Sequence, residues 1–252
     1  MNEELYIIAN WKMNPQTLDE ALGLANLVKE GVANIEGKKV VLCPPFPFLS
    51  HILPSEHVEM GAQNCFWEDK GPYTGEVSAS MVQGLGCSYV IIGHSERKTY
   101  LNEDPKQIAA KLQAAFRANI TPVLCIGEKQ KTTEGNFLDI AVQMKDTLEG
   151  LQKGQMLRLL LVYEPEWAIS SNKNAQAATP EDCKNSIQYM RETVEKMFGK
   201  DIAELTRILY GGSTNSGNIG GFIQAGAAGA LVGSVSLDAN EFVSLVRNAQ
   251  RR

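Results

Sequence analysis

Short apolar runs recur along the chain and alternate with longer amphipathic stretches. Each run is three to six residues long, which is typical of strands in a parallel sheet covered on both faces. The pattern predicts eight parallel strands. They are residues 5–9, 40–43, 60–62, 89–92, 121–126, 159–163, 208–210 and 230–232.

The stretches between these runs carry signals for helix starts. Thr17 and Glu20 have the spacing of a capping box. Proline follows Asp104 and Thr179, where it suits the first helical position of two further stretches. The sequence therefore predicts helices that begin after Thr17, Asp104 and Thr179. Weaker helical patterns occur at 78–83, 137–149, 219–225 and 240–249.

Strand and helix units that alternate in this way predict an α/β fold with a parallel sheet. Eight strands favour closure into a (β/α)8 TIM barrel surrounded by helices. No change of composition marks a linker, so we expect a single domain over residues 1–252. The alternative is an open doubly wound sheet, which is disfavoured because no Gly-x-Gly-x-x-Gly motif follows the first strand.

Charge and cysteine usage narrow the class of protein. The 24 basic and 29 acidic residues give a net charge of −5, which argues against nucleic acid and anionic membranes as partners. No apolar run reaches the roughly 18 residues of a membrane span. The five cysteines form no Cys-x-x-Cys pair, and most have apolar neighbours. We therefore expect buried, reduced thiols in a cytoplasmic protein, rather than a disulfide framework or a metal site.

In either fold, chemistry is expected at the carboxyl ends of the strands. Glu164 directly follows the sixth run, and a stretch of small and polar residues at 168–178 resembles a lid. A carboxylate beneath a closing lid loses water and gains basicity. Glu164 is therefore a candidate base, and the alternative is an ordinary solvated carboxylate at a strand end.

His94 is the candidate for chemistry among three histidines, since His51 and His57 are interpreted as solvated. It follows the fourth run and precedes Ser95 and Glu96, which can begin a helical turn. A helix N-terminus disfavours a protonated imidazole and leaves a neutral ring that can donate a hydrogen bond. The alternative is a histidine that only caps a helix.

Candidate anion ligands follow the first, seventh and eighth runs. Lys12, beside Asn10, is either a solvated lysine or a source of positive charge for an anion. Gly212 and Ser213 follow the seventh run, and Gly233 and Ser234 follow the eighth. Barrels commonly bind phosphate at this place through backbone N–H groups.

Eight segments, in this order and spacing, resemble one known family over essentially the whole chain. They are Asn-Trp-Lys-Met-Asn at 10–14, Gly-Ala-Gln-Asn at 61–64, Tyr-Thr-Gly-Glu at 73–76, Ile-Ile-Gly-His-Ser-Glu-Arg at 91–97, Cys-Ile-Gly-Glu at 125–128, Tyr-Glu-Pro-Glu-Trp-Ala-Ile at 163–169, Tyr-Gly-Gly-Ser at 210–213 and Leu-Val-Gly at 231–233. The chain resembles the triosephosphate isomerase family. The resemblance implies interconversion of dihydroxyacetone phosphate and D-glyceraldehyde 3-phosphate through an enediolate, in glycolysis and gluconeogenesis.

The resemblance also implies roles in proton transfer. Glu164 matches the base, His94 the neutral electrophile and Lys12 the electrostatic residue, with Asn10 beside it. Glu96 matches a carboxylate near the lysine, and its neighbour Ser95 is assigned a supporting role. No metal or organic cofactor is implied, because these side chains can stabilise the developing oxyanion.

Substrate binding and assembly follow from the same resemblance. Ser213, Gly233 and Ser234 match phosphate-binding positions, and Ser170 lies in the segment that matches a mobile lid, 165–175. Thr74 matches the tip of a loop that enters a neighbouring subunit, so a homodimer is implied.

Three departures from the family pattern concern the lid and the phosphate site. Residues 169–173 read Ile-Ser-Ser-Asn-Lys instead of Ile-Gly-Thr-Gly-Lys, a few extra residues precede Thr179, and Ser234 replaces a usual glycine. Two other functions stay open, a non-catalytic binding subunit and an isomerase or lyase for another phosphosugar. The joint presence of Lys12, His94 and Glu164 favours an active enzyme, and the near-complete set of motifs favours triose phosphates.

Overall fold

The apolar runs form a closed cylinder of parallel strands. The computed structural model describes residues 4–131, 137–169 and 176–251. Within them, eight strands pair in sequence order and β8 closes onto β1. This confirms the predicted TIM barrel and excludes the open sheet, and the predicted bounds differ by at most two residues. The strands are β1 (Leu5–Asn10), β2 (Lys38–Cys43), β3 (Val58–Ala62), β4 (Tyr89–Ile92), β5 (Thr121–Ile126), β6 (Leu160–Tyr163), β7 (Arg207–Tyr210) and β8 (Gly229–Val232).

Helices surround the barrel. In the described residues they are α1 (Leu18–Val32), α2 (Phe46–Leu49), α3 (Ala79–Gly84), α4 (Ser95–Tyr100), α5 (Pro105–Arg117), α6 (Leu138–Leu148), α7 (Lys153–Met156), α8 (Pro180–Phe198), α9 (Lys200–Leu205), α10 (Ile219–Gln224) and α11 (Ala239–Asn248), with 3-10 turns at Glu166–Ala168 and Ser234–Leu237. Capping boxes at Thr17, Asp104 and Thr179 begin α1, α5 and α8, which confirms the predicted starts. Helices α2, α7 and α9 were not predicted; they have four, four and six residues.

Alternate residues of each strand face two different cores. Tyr6 and Ile8 belong to a cluster that strand residues almost alone make up, which is the barrel interior. Ile7 and Ala9 belong instead to a larger cluster shared with the helices. This period of two lets one apolar strand serve both layers. It also decides which polar residue at a strand end points into the mouth of the barrel.

Closure of the barrel requires a very close approach of β8 to β1. Tyr6 pairs with Gly229, whose φ is +147°, and a Cβ at this position would lie 1.9 Å from the Tyr6 carbonyl oxygen. Only glycine fits such an approach of two backbones. The seam between the last and first strands therefore depends on Gly229.

The five cysteines are buried, as expected, and their thiols are free in the structure. Burial raises the pKa of Cys65 to about 12 and that of Cys87 to about 11. These thiols therefore stay protonated at neutral pH. Among the described helices, none has the length and apolarity that a membrane crossing requires.

Candidate active site

Strand periodicity carries two of the predicted residues into the mouth of the barrel. Leu160 and Val162 face the interior, so Glu164 continues the same row just past the end of β6. Asn10 continues the row of Tyr6 and Ile8 on β1. Both side chains are buried, Glu164 to within 1% of full burial. The interpretation of Glu164 as a solvated strand-end carboxylate is therefore wrong.

A cavity of about 310 Å³ opens at this mouth. Its lining includes six of the predicted site residues, which are Asn10, Lys12, His94, Ser213, Gly233 and Ser234. Thr214, Asn215 and Asn218 also line it and were not predicted. The fold thus brings residues from both ends of the chain around one small cavity.

The Glu164 carboxylate is held beside this cavity by three donors. The Ser95 hydroxyl donates to Oε1 at 2.9 Å, and the Ser95 backbone N–H donates to Oε2 at 3.0 Å. His94 Nε2 lies 3.0 Å from Oε1. The predicted supporting residue Ser95 therefore contacts Glu164 directly and occupies both of its oxygens.

His94 is the N-cap of α4, and its capping hydrogen bond determines the tautomer of the neutral ring. The backbone N–H of Glu96 donates to His94 Nδ1 at 3.2 Å. Because Nδ1 accepts, the neutral ring carries its proton on Nε2, which then donates to Glu164. The capping role, posed as one alternative for His94, is present, and the same ring also contacts the Glu164 carboxylate through Nε2.

Lys12 is held in place from three sides. Its Nζ lies 2.6 Å from Glu96 Oε1, and its backbone N–H donates to Asn10 Oδ1 at 3.1 Å. Its φ of +55° is uncommon for a residue with a Cβ and costs roughly 1–2 kcal/mol. Gln63 Nε2 donates to the Lys12 carbonyl at 2.7 Å and holds this conformation.

Gln63 was missed as a site residue, although a signal was present. It directly follows the third predicted strand, where polar residues were expected to carry chemistry. Its side chain also donates to the Cys43 carbonyl at 2.9 Å, so it ties the loop after β1 to the end of β2.

The loop after β7 contacts the segment that follows Glu164. Both the hydroxyl and the backbone N–H of Ser213 donate to the Ala168 carbonyl, at 2.8 and 3.2 Å. Gly233 and Ser234 lie at the N-terminus of the 3-10 turn after β8, where backbone N–H groups attract anions. Ser170 lies outside the described residues, as does most of the predicted lid.

A buried carboxylate anchors the segment after Glu164. Glu128, which follows β5, accepts hydrogen bonds from Tyr163 Oη at 2.7 Å and Trp167 Nε1 at 2.8 Å. Burial raises the pKa of Tyr163, so its hydroxyl keeps the proton that it donates. Glu128 was not predicted as a site residue, although it too stands at a strand end.

Among the described residues, the ionisable groups at the mouth include the Lys12 ammonium, the Glu164 carboxylate and the His94 imidazole. Glu96 joins them, because its carboxylate contacts Lys12 and lies 3.7 Å from His94 Nδ1. Within residues 4–131, 137–169 and 176–251, no group of three or more His, Cys, Asp or Glu side chains is placed to hold a metal ion. The arrangement places a carboxylate, a hydrogen-bond donor and a cation in or beside a cavity of about 310 Å³.

Comparisons with known proteins agree with this geometry. The family model described as triosephosphate isomerase matches residues 5–249. The chain belongs to the triosephosphate isomerase family. As a member of this family, it is an isomerase that interconverts dihydroxyacetone phosphate and D-glyceraldehyde 3-phosphate.

Individual members of the family match over nearly their whole length. A triosephosphate isomerase from Dehalococcoides mccartyi is 40% identical over 252 residues, which cover 98% of this chain and 97% of the relative. One from Moorella thermoacetica is 42% identical over 250 residues, covering 97% and 98%. The crystal structure of triosephosphate isomerase from Bartonella henselae superposes with a TM-score of 0.84 at 32% identity, covering 98% of this chain and all of that one.

Proposed function

We propose that Glu164 is the base that carries the proton between the two adjacent carbons of the triose phosphate. The observation that carries this proposal is the position of its carboxylate, buried at the mouth of the barrel and 3.0 Å from His94 Nε2. A base and a hydrogen-bond donor in contact can act on adjacent atoms of one small substrate. The same pair argues against a non-catalytic binding subunit.

The base has to turn before it can act. Ser95 occupies both oxygens of Glu164, and the carboxylate is directed at Ser95 instead of the cavity. Rotation toward the cavity exchanges these hydrogen bonds for contact with the substrate carbon. The same rotation leaves His94 Nε2–H available for a substrate oxygen.

Hydrogen-bond donors and a cation that are already in place can stabilise the negative charge that develops on the substrate oxygens. His94 offers Nε2–H, and the Lys12 ammonium and the Asn10 amide line the same cavity. Glu164 removes a proton from one carbon, the carbonyl oxygen becomes an enediolate oxygen, and Glu164 returns the proton to the neighbouring carbon. Donors that need no rearrangement at that moment lower the barrier.

The phosphate is assigned to backbone N–H groups in the loops after β7 and β8. Gly233 and Ser234 offer theirs at the start of a short helical turn. The Ser213 N–H is bonded to Ala168, so it becomes available when the segment after Glu164 shifts. Ser170, which lies outside the described residues, is also proposed to donate its backbone N–H to the phosphate, because any residue except proline offers an N–H.

Replacement of Glu164 by glutamine tests the base. Glu164→Gln keeps the size of the side chain and removes its basicity, so turnover should fall by about 10²–10⁴-fold. The matched control is Glu195→Gln on the exposed face of α8, which should keep parental turnover. Circular dichroism and thermal unfolding establish that both variants fold. Parental turnover with both triose phosphates in Glu164→Gln would exclude Glu164 as the base.

We also propose that the chain forms a homodimer through the loop that carries Thr74. This loop is closed at its base by the Phe66 N–H to Val77 carbonyl hydrogen bond, and its tip is exposed. Tyr73 at the tip is 41% exposed, and Met13, next to Lys12, is 83% exposed. A partner loop packed on Met13 would bury apolar surface and support the conformation of Lys12.

The dimer is tested by a bulky charge at the tip of the loop. Thr74→Arg should shift the chain from dimer to monomer in sedimentation and lower its activity. Gln188→Arg adds the same charge to an exposed position of α8 and should leave the dimer intact. If the parental chain sediments as a fully active monomer, the proposal is wrong.

Domain organisation and location are two further inferences. We infer one catalytic domain over residues 1–252, and the closure of β8 onto β1 across the chain supports this. We infer a cytoplasmic location because all five cysteines are buried free thiols, the form that a reducing compartment maintains.

A further inference from the structure

Lys98 is a largely buried lysine one turn after Ser95 on α4. Its side chain is only 15% exposed. Its Nζ lies 3.5 Å from Glu166 Oε1 and donates to Gln143 Oε1 at 3.1 Å. Helix α4 thus reaches the region of the base twice, once through Ser95 and once through Lys98.

Gln143 links Lys98 to Gly127, which packs on the backbone of Glu164. Its Nε2 donates to the Gly127 carbonyl at 2.7 Å, and its Oε1 lies 3.5 Å from the Gly127 N–H. Gly127 packs directly on the backbone of Glu164, where a Cβ on Gly127 would stand 1.9 Å from the Glu164 carbonyl oxygen. A shift of Gly127 therefore shifts Glu164.

Glu166 holds the same stretch of chain from the other side. It begins the 3-10 turn after Pro165, and its backbone N–H donates to the Glu128 carbonyl at 3.0 Å. Its side chain is 13% exposed. Burial raises the pKa of this carboxyl, and the neighbouring Lys98 ammonium opposes that shift. A charge buried to this extent is costly without its partner.

We propose that Lys98 and Glu166 are positioning residues for the base. Their ion pair joins α4, which holds the Glu164 side chain through Ser95, to the first turn after Glu164. Together with Gln143 and Gly127, the pair sets the place of the Glu164 backbone while the carboxylate turns from Ser95 to the substrate. The inference rests on the proposed role of Glu164 as base.

Three substitutions separate this role from simple support of the fold. Glu166→Gln keeps the shape of the side chain and removes its charge. Lys98→Met keeps the aliphatic stem and removes the charge, whereas Lys98→Arg keeps a positive charge at this position. We expect the first two to lower kcat by about 10-fold or more, since misplacement of a reacting group by about 1 Å costs roughly 10²-fold. KM should change less than about 3-fold, and Lys98→Arg should recover most of kcat.

The double variant measures whether the two residues act as a unit. Lys98→Met with Glu166→Gln should be no slower than the slower single variant, because the ion pair is already lost in each. The control is the Lys39–Glu59 pair, also at 3.5 Å but at the start of β2 and β3, away from the strand ends that form the site. Lys39→Met and Glu59→Gln should keep kcat within about 2-fold.

Either of two results would overturn the proposal. One is a kcat within 2-fold of the parent in Glu166→Gln, whatever its thermal stability. The other is a double variant whose loss of kcat is the product of the single losses. If Lys98→Met fails to fold, Glu166→Gln and Lys98→Arg still decide. Glu164→Gln, measured alongside, separates the ideas: if it is inactive while Glu166→Gln is normal, only the positioning role fails.

Discussion

The contact between Gly127 and the backbone of Glu164 predicts that a side chain at position 127 lowers both stability and turnover. In Gly127→Ala, the added Cβ would stand 1.9 Å from the Glu164 carbonyl oxygen and 2.4 Å from its carbon. Real Cβ contacts almost never fall below 3.0 Å, so the two segments must separate by about 1 Å. Both contacts are to backbone, and backbone cannot rotate away as a flexible side chain can.

Two consequences of this separation can be estimated. Forced overpacking costs about 1–3 kcal/mol of stability. A displacement of about 1 Å at the base costs roughly 10²-fold in turnover. Gly127→Ala should therefore fold with lowered stability and lose activity out of proportion to that loss.

A matched glycine serves as the control. Gly23 lies on the exposed face of α1, and nothing stands within 4 Å of a Cβ built there. Gly23→Ala should raise stability by about 0.5–1 kcal/mol through helix propensity and leave kcat unchanged. Urea unfolding and a coupled assay with both triose phosphates measure the two variants. Parental kcat and stability in Gly127→Ala would refute the reasoning.

Three further predictions concern protonation. Nitrogen NMR should show the neutral His94 ring with its proton on Nε2, because the Glu96 N–H donates to Nδ1; a proton on Nδ1 contradicts this. Burial raises the pKa of all five thiols, so none should react with a thiol reagent at pH 8 until the chain is unfolded. Burial also favours the neutral form of Asp182, but hydrogen bonds from Lys131 and Thr179 outweigh it and place its pKa below 3.8. Asp182→Asn should therefore lose stability at pH 7, and the difference from the parent should vanish as the pH falls through that lowered pKa; a difference that persists there rules the carboxylate out.

The sequence predicted the barrel well and the site only in part. The eight strands and the starts of α1, α5 and α8 were found because strand periodicity and helix caps are local signals. Asn10, Lys12, His94 and Glu164 were predicted as site residues because they stand at strand ends and match the family motifs, and the structure places them in or beside one cavity. Gln63 and Glu128 stand at strand ends too, but nothing local indicates what their side chains reach.

The sequence by itself determined which strand-end residues point toward the mouth of the barrel. Alternation along β6 sends Leu160, Val162 and Glu164 to one side, and eight parallel strands bring all their carboxyl ends together. Only the tertiary structure decided the contacts of the Glu164 carboxylate with Ser95 and His94. These partners are about seventy residues away along the chain, and their hydrogen bonds depend on ångström-scale packing that no local pattern encodes. Alternation along a strand determines to which face a side chain points, and tertiary packing determines which residues it contacts.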